Sequence, residues 1–159
     1  MNELQDQPGT YAGARTALID ANVYAALILR EHRGHVTAQQ WLARQSSLVT
    51  CPLVELAVLR LLMRRLEAGG CGLNGSRARA VVTRFKQVAP VAMIAEDVDA
   101  TGDALPWRHV RGHNQINDAY LIALAQVHHL RVCTFDRGFM SLFSGDDSEL
   151  VELLAYDGV

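Results

Sequence analysis

The chain has 159 residues, half of them hydrophobic and a fifth charged. That is enough for one domain that buries roughly two thirds of its unfolded surface. No window approaches ~18 uninterrupted apolar residues, so no membrane span is expected. The N-terminus, Met1 to Asp6, lacks the basic and apolar regions of a signal peptide. A net charge of −2 exerts no overall pull towards nucleic acid.

The three cysteines, Cys51, Cys71 and Cys133, are widely spaced, with neither zinc nor disulfide spacing. They read as packing residues in a reducing cytoplasm.

Residues 1–14 are polar, with no periodicity, and read as a loose arm before a single domain over 15–159. The first strand is expected over Arg15–Ile19. A helix follows at once, from about Asn22 to Arg30, with Val23, Ala26 and Leu27 on one face. A second helix spans about Val36 to Arg44. Ser47–Thr50 reads as a short buried strand. Pro52 suits the first turn of the next helix, whose apolar residues run to Leu66 before Gly69-Gly70 end it. A fourth helix starts near Asn74-Gly75-Ser76, with Ser76 as its cap, and runs to about Gln87.

Val91–Ile94 is a third strand. Acidic and small residues from Glu96 to Asp103 predict a further helix, limited by Pro106. After a loop, Ile116–Leu130 forms a helix that is apolar nearly all round and therefore buried. Arg131–Thr134 is the fourth strand, and Leu150–Ala155 a fifth at the edge. Strands alternating with helices predict an α/β fold with a mainly parallel sheet covered on both faces.

In such a sheet, ligands bind at the carboxyl ends of the strands. Asp20 ends strand 1, and Asp136 follows strand 4 by two residues. Glu55 lies in the first turn of the helix after strand 2, and Asp118 in the first turn of the buried helix. Each acid alone reads equally as a cap or a turn residue. Together, four carboxylates in one crevice repel each other unless a cation joins them. Oxygen-only ligation suits Mg²⁺ or Mn²⁺, ions that typically act on phosphates. Thr134 is placed to orient Asp136 or a water, and Asn22 and Asn117 to support the acids.

The basic residues are clustered. Arg60, Arg64, Arg65, Arg77, Arg79, Arg84 and Lys86 fall in one stretch against a single acid, Glu67. Fourteen of the fifteen basic residues are arginine, which grips phosphate bidentately. The stretch reads as a solvated helix face or as a phosphate-contacting surface.

Several motifs, in this order, resemble the PIN-domain nucleases. They are Leu18-Ile19-Asp20-Ala21-Asn22-Val23, then Glu55 with Arg60 five residues on. Asn117-Asp118-Ala119-Tyr120-Leu121-Ile122 and Thr134-Phe135-Asp136-Arg137-Gly138-Phe139 complete the set. The size and the Asp-Ala-Tyr-Leu helix are similar to the VapC-type toxins of toxin–antitoxin pairs.

The resemblance covers about residues 15–156. It implies a PIN-like α/β/α sandwich with about five strands. It further implies Mg²⁺- or Mn²⁺-dependent RNA cleavage, a homodimer, and inhibition by a cognate antitoxin. Asp20, Glu55, Asp118 and Asp136 take the metal-site positions, and Thr134 matches a frequent hydroxyl position. The chain departs from the pattern in its N-terminal arm, and in Gly138 where many relatives carry a further acid.

Within that reading, Arg60, Arg111 or Arg137 stabilises phosphoryl charge, and Arg77, Arg79 and Arg84 hold the RNA backbone. His113 reads as a solvated loop residue. The helices around Leu53–Leu66 and Arg77–Lys86 are candidates for a dimer seam or an antitoxin groove.

A receiver domain is disfavoured because the only lysine, Lys86, falls in a helix. A Rossmann or P-loop nucleotide site lacks its glycine motif. The rival reading is a catalytically silent PIN-like module that binds RNA or protein.

Overall fold

The structure, a computed structural model, describes residues 15–144 and 149–156. The predicted arm at 1–14 lies outside the described residues. Five parallel strands form one sheet in the order β3-β2-β1-β4-β5. They are β1 (Ala17–Ile19), β2 (Leu48–Thr50), β3 (Val91–Met93), β4 (Arg131–Thr134) and β5 (Val151–Leu153). The register pairs Ala17 with Leu48 and with Arg131, Leu48 with Val91, and Thr134 with Leu153.

β1, β2 and β4 are fully buried, which is why they are short and lack an alternating pattern. The edge strand β3 is largely exposed.

The helices are α1 (Ala21–Ile28), α2 (His35–Leu42), α3 (Pro52–Met63), α4 (Gly75–Val88) and α5 (Ile116–Val127). β1, β2 and β3 step one way across the sheet, so right-handed crossovers place α1 to α4 on one face. The step from β3 back to β4 places α5 on the other. α1 packs on α2 and α3, α3 packs on α4, and α5 lies along β4. The core between these layers includes Leu18, Ile19, Tyr24, Trp41, Leu62, Ile122, Leu124 and Phe139, all essentially inaccessible.

Element existence follows the sequence expectation almost throughout, with ends differing by a few residues. α3 stops at Met63, and a separate 3-10 turn at Leu66–Ala68 precedes Gly69, whose φ of +74° is the left-handed conformation that glycine tolerates. The cap of α4 is Asn74 rather than Ser76. Its side chain accepts the Arg77 N–H at 2.9 Å.

The helix expected from Glu96 to Asp103 is absent. Three of the four acids there serve partners that compete with helix hydrogen bonding. Asp99 accepts the N–H and the hydroxyl of Thr101, at 2.9 and 3.0 Å. Asp97 meets His128 Nε2 at 2.7 Å, and Glu96 accepts the Leu53 N–H at the start of α3. No helix among the described residues is long and apolar enough to cross a membrane.

Candidate active site

The strand order reverses between β1 and β4, so their carboxyl ends border the crevice of this sheet. Asp20 ends β1 and is the N-cap of α1, so the cap reading and the site reading coincide. Its Oδ1 accepts the Ala21 N–H at 2.6 Å. Its Oδ2 accepts the Thr134 hydroxyl at 2.8 Å.

Thr134, the last residue of β4 and fully buried, is the hub. Its Oγ1 also accepts the Asp136 N–H at 2.9 Å and the Asn22 amide at 3.2 Å. Asn22 Oδ1 in turn accepts the Phe135 N–H at 3.2 Å. One hydroxyl and one amide therefore clamp the ends of β1 and β4 together and fix the backbone that carries Asp136. Asp136 caps the 3-10 turn Arg137–Ser141, its Oδ1 accepting the Gly138 N–H at 2.7 Å.

Asp118 sits in the first turn of α5 and is repelled by both other aspartates. Burial, then the charges of Asp20 and Asp136, push its pKa up to about 7. Asp20 is also raised, chiefly by burial, against the lowering hydrogen bonds of Thr134 and Ala21. Three acids, two just past β1 and β4 and one in α5, thus share one electrostatic site, and none of them makes an ion pair among the described residues.

Among the described residues, no three acid, histidine or cysteine side chains cage an ion as they stand. Mg²⁺, however, takes only one or two carboxylates and keeps several waters.

Glu55 lies in the first turn of α3, but its charge has a partner. Glu55 Oε1 is buried and faces the Lys86 ammonium at 2.7 Å, an ionic contact without well-directed hydrogen-bond geometry. Tyr24, one turn after Asp20 on α1, lies beside it. Burial and the Glu55 charge raise the Tyr24 phenol above its ordinary pKa, and its buried hydroxyl has no partner among the described residues. Glu55 thus acts on Tyr24, while the charges that raise Asp118 are those of Asp20 and Asp136.

Lys86 was not singled out as a site residue by sequence. The signal was its spacing: it falls four residues after Val82 and eight after Ala78, both buried. Asn117 is exposed and makes no side-chain hydrogen bond among the described residues.

Arg60, Arg77, Arg79, Arg84, Arg111 and Arg137 are all exposed and unpaired among the described residues. His113 opens an exposed 3-10 turn. Cys51 and Cys133 are free, buried thiols. Burial pushes the Cys51 pKa up to about 11, so it stays protonated and packs as a small apolar group.

Known proteins are similar to this chain in sequence and fold. Ribonuclease VapC29 of Mycobacterium tuberculosis is 34% identical over 142 residues, covering 86% of this chain and 96% of its own. Ribonuclease VapC38 of the same species is 30% identical over 141 residues, covering 87% and 97%. The crystal structure of M. tuberculosis VapC20, a Sarcin-Ricin loop cleaving toxin, superposes with a TM-score of 0.59 at 22% identity, over 87% of this chain and 99% of that one. Residues 17–142, from β1 to just past Asp136, match the PIN domain model, and the chain belongs to the PIN domain family.

Proposed function

We propose that this chain is a divalent-metal-dependent endoribonuclease and the toxin of a toxin–antitoxin pair. The observation that carries the reading is the unneutralised repulsion among Asp20, Asp118 and Asp136 at the strand switch point. Carboxylates held together in this way fit a hard cation, and an oxygen-only donor set fits Mg²⁺ or Mn²⁺. Asp20, Asp118 and Asp136 would hold it, with Glu55 as the adjoining fourth acid. When bound, the ion supplies an activated water and offsets charge on the leaving oxygen.

The rest is work for the chain's own groups. Thr134 keeps the Asp20 carboxylate oriented, and Asn22 holds the backbone leading to Asp136. Asp118 carries a proton near neutral pH until a cation takes its place. Arg137, beside Asp136, meets the phosphoryl oxygens; Arg111, in the loop before α5, is the next candidate, whereas Arg60 lies in the last turn of α3, away from Glu55 in its first. Arg77, Arg79 and Arg84 bind the RNA backbone along α4.

The protein partners are an antitoxin and a second copy. α3 and the turn after it leave Leu56 and Met63 about half exposed and Leu66 more so, a run of apolar residues suited to either. A toxin acting on cellular RNA works in the cytoplasm. One observation favours a silent binding module instead: Lys86 already occupies Glu55.

Incubating the partner-free protein with total cellular RNA and Mg²⁺ or Mn²⁺ decides between them. Discrete fragments are expected, lost with EDTA and in Asp20→Asn and Asp118→Asn variants. RNA binding without cleavage across metals and pH would leave only the module.

A further inference from the structure

The rim continues past Asp136 into a cavity of about 420 Å³ lined by Arg33, Phe135, Arg137, Leu153, Leu154 and Tyr156, among others. Phe135 and Arg137 are the immediate neighbours of Asp136 in the chain. The cavity is therefore built onto the acid site.

One wall is a stack of three planar groups. The Phe135 and Tyr156 rings lie 4.6 Å apart and 8° from parallel. The Arg33 guanidinium covers the Tyr156 ring, 3.6 Å from its centroid. The inner end of the stack is fixed. A Cβ added at Gly34 would stand 2.6 Å from Phe135 Cζ, and Phe135 is only 6% exposed. The outer end is open. Arg33 is exposed and makes no ion pair or side-chain hydrogen bond among the described residues, and neither does Arg137.

A stack that ends in an exposed guanidinium plane has lost one layer relative to what such a plane accepts. Nucleic-acid bases stack on arginine planes as they do on aromatic rings. Tyr156 also holds the Arg33 side chain in place, which lowers the entropy cost of using it. Two free cations beside three repelling acids give a phosphate somewhere to approach. The apolar walls from Leu153 and Leu154 suit the flat face of a base.

We infer that this cavity is a nucleobase subsite in which a base of single-stranded RNA, adjacent to the bond that is cut, stacks on Arg33 as the fourth layer. The inference rests on the ribonuclease reading for its substrate. Its test does not need turnover.

Fluorescein-labelled oligoadenylate hexamer and the same hexamer with abasic ribose throughout are titrated against the full chain in EDTA, by anisotropy. Base stacking is worth about 1–3 kcal/mol, or roughly 5- to 150-fold. Wild type should therefore bind the adenylate hexamer about tenfold more tightly than the abasic one. Arg33→Ala and Arg33→Lys should each remove most of that difference, the second while keeping the charge. Arg33→Trp should retain it. Melting curves confirm folding of each variant.

Equal weakening of both hexamers by Arg33→Ala would reduce Arg33 to a phosphate contact and overturn the subsite. No base preference in the wild type, or one untouched by Arg33→Ala, would overturn it too. A base preference without cleavage of total RNA would leave the subsite and remove the ribonuclease reading. Cleavage without base preference would do the reverse.

Discussion

Two stretches of one sheet rim treat charge in opposite ways. Around the ends of β1 and β4, three aspartates repel each other, and none of them makes an ion pair among the described residues. At the start of α3, just past β2, Glu55 is matched by Lys86 at 2.7 Å. The matched pair lowers the cost of its own burial and contributes modestly to stability. For the unmatched trio the opposite holds: burial, and then the charges of Asp20 and Asp136, raise the Asp118 pKa to about 7, and ionising it weakens the fold. Charge repulsion in a crevice otherwise built from well-packed backbone is the mark of a site arranged for a ligand.

The largest expected effect comes from the clamp that holds the trio. Thr134→Val keeps the shape and removes three hydrogen bonds, to Asp20, Asp136 and Asn22. Losing these bonds, with Asp20 buried and Asn22 partly so, should cost about 2 kcal/mol in urea unfolding. RNA cleavage should fall roughly 10- to 100-fold, as for other groups that orient metal-holding side chains. Thr134→Ser should restore most of both. A valine variant with wild-type cleavage would make the hydroxyl an ordinary strand feature.

The strain on Asp118, from burial and from the other two charges, is read by pH. Asp118 in the fold gives up its proton near pH 7, against an ordinary value of 3.8. The folded state therefore holds a proton that the unfolded chain has lost. Its contribution is fully present below pH ~4 and disappears as pH rises through ~7. Wild type in EDTA should lose about 2 kcal/mol over that window, after allowance for the partial exposure of Asp118. Asp118→Asn should lose that much less. Urea midpoints at pH 4.5 and 8 compare the two, and equal slopes would mean that neither burial nor the neighbouring carboxylates perturb Asp118.

What was legible in sequence was local. Leu18-Ile19-Asp20 couples a strand to the acid that ends it, and Thr134-Phe135-Asp136 does so again, so both rim positions could be placed without knowing the sheet order. The all-round apolar pattern of Ile116–Val127 marked its own burial. What was not legible depended on partners far along the chain. The acids of 96–103 look like a helix start, yet Glu96 serves Leu53 and Asp97 serves His128. Arg33 and Tyr156 meet from opposite ends of the chain. Glu55 looked like any other rim acid because nothing local announces Lys86, which α4 brings across.

That last pair yields the smallest effect and the sharpest reading of the comparison. Lys86→Met leaves Glu55 Oε1 buried without its counter-charge, and Glu55→Gln leaves Lys86 unpaired. In a double-mutant cycle the two should couple by about 1 kcal/mol, as expected for a partly exposed ion pair. Cleavage separates the roles that stability merges. If Glu55 is the adjoining fourth acid, Glu55→Gln loses activity while Lys86→Met keeps most of it, since the lysine only neutralises and positions the carboxylate. If both variants cleave as wild type does, the pair is a strut between α3 and α4. Only the three aspartates would then belong to the chemistry.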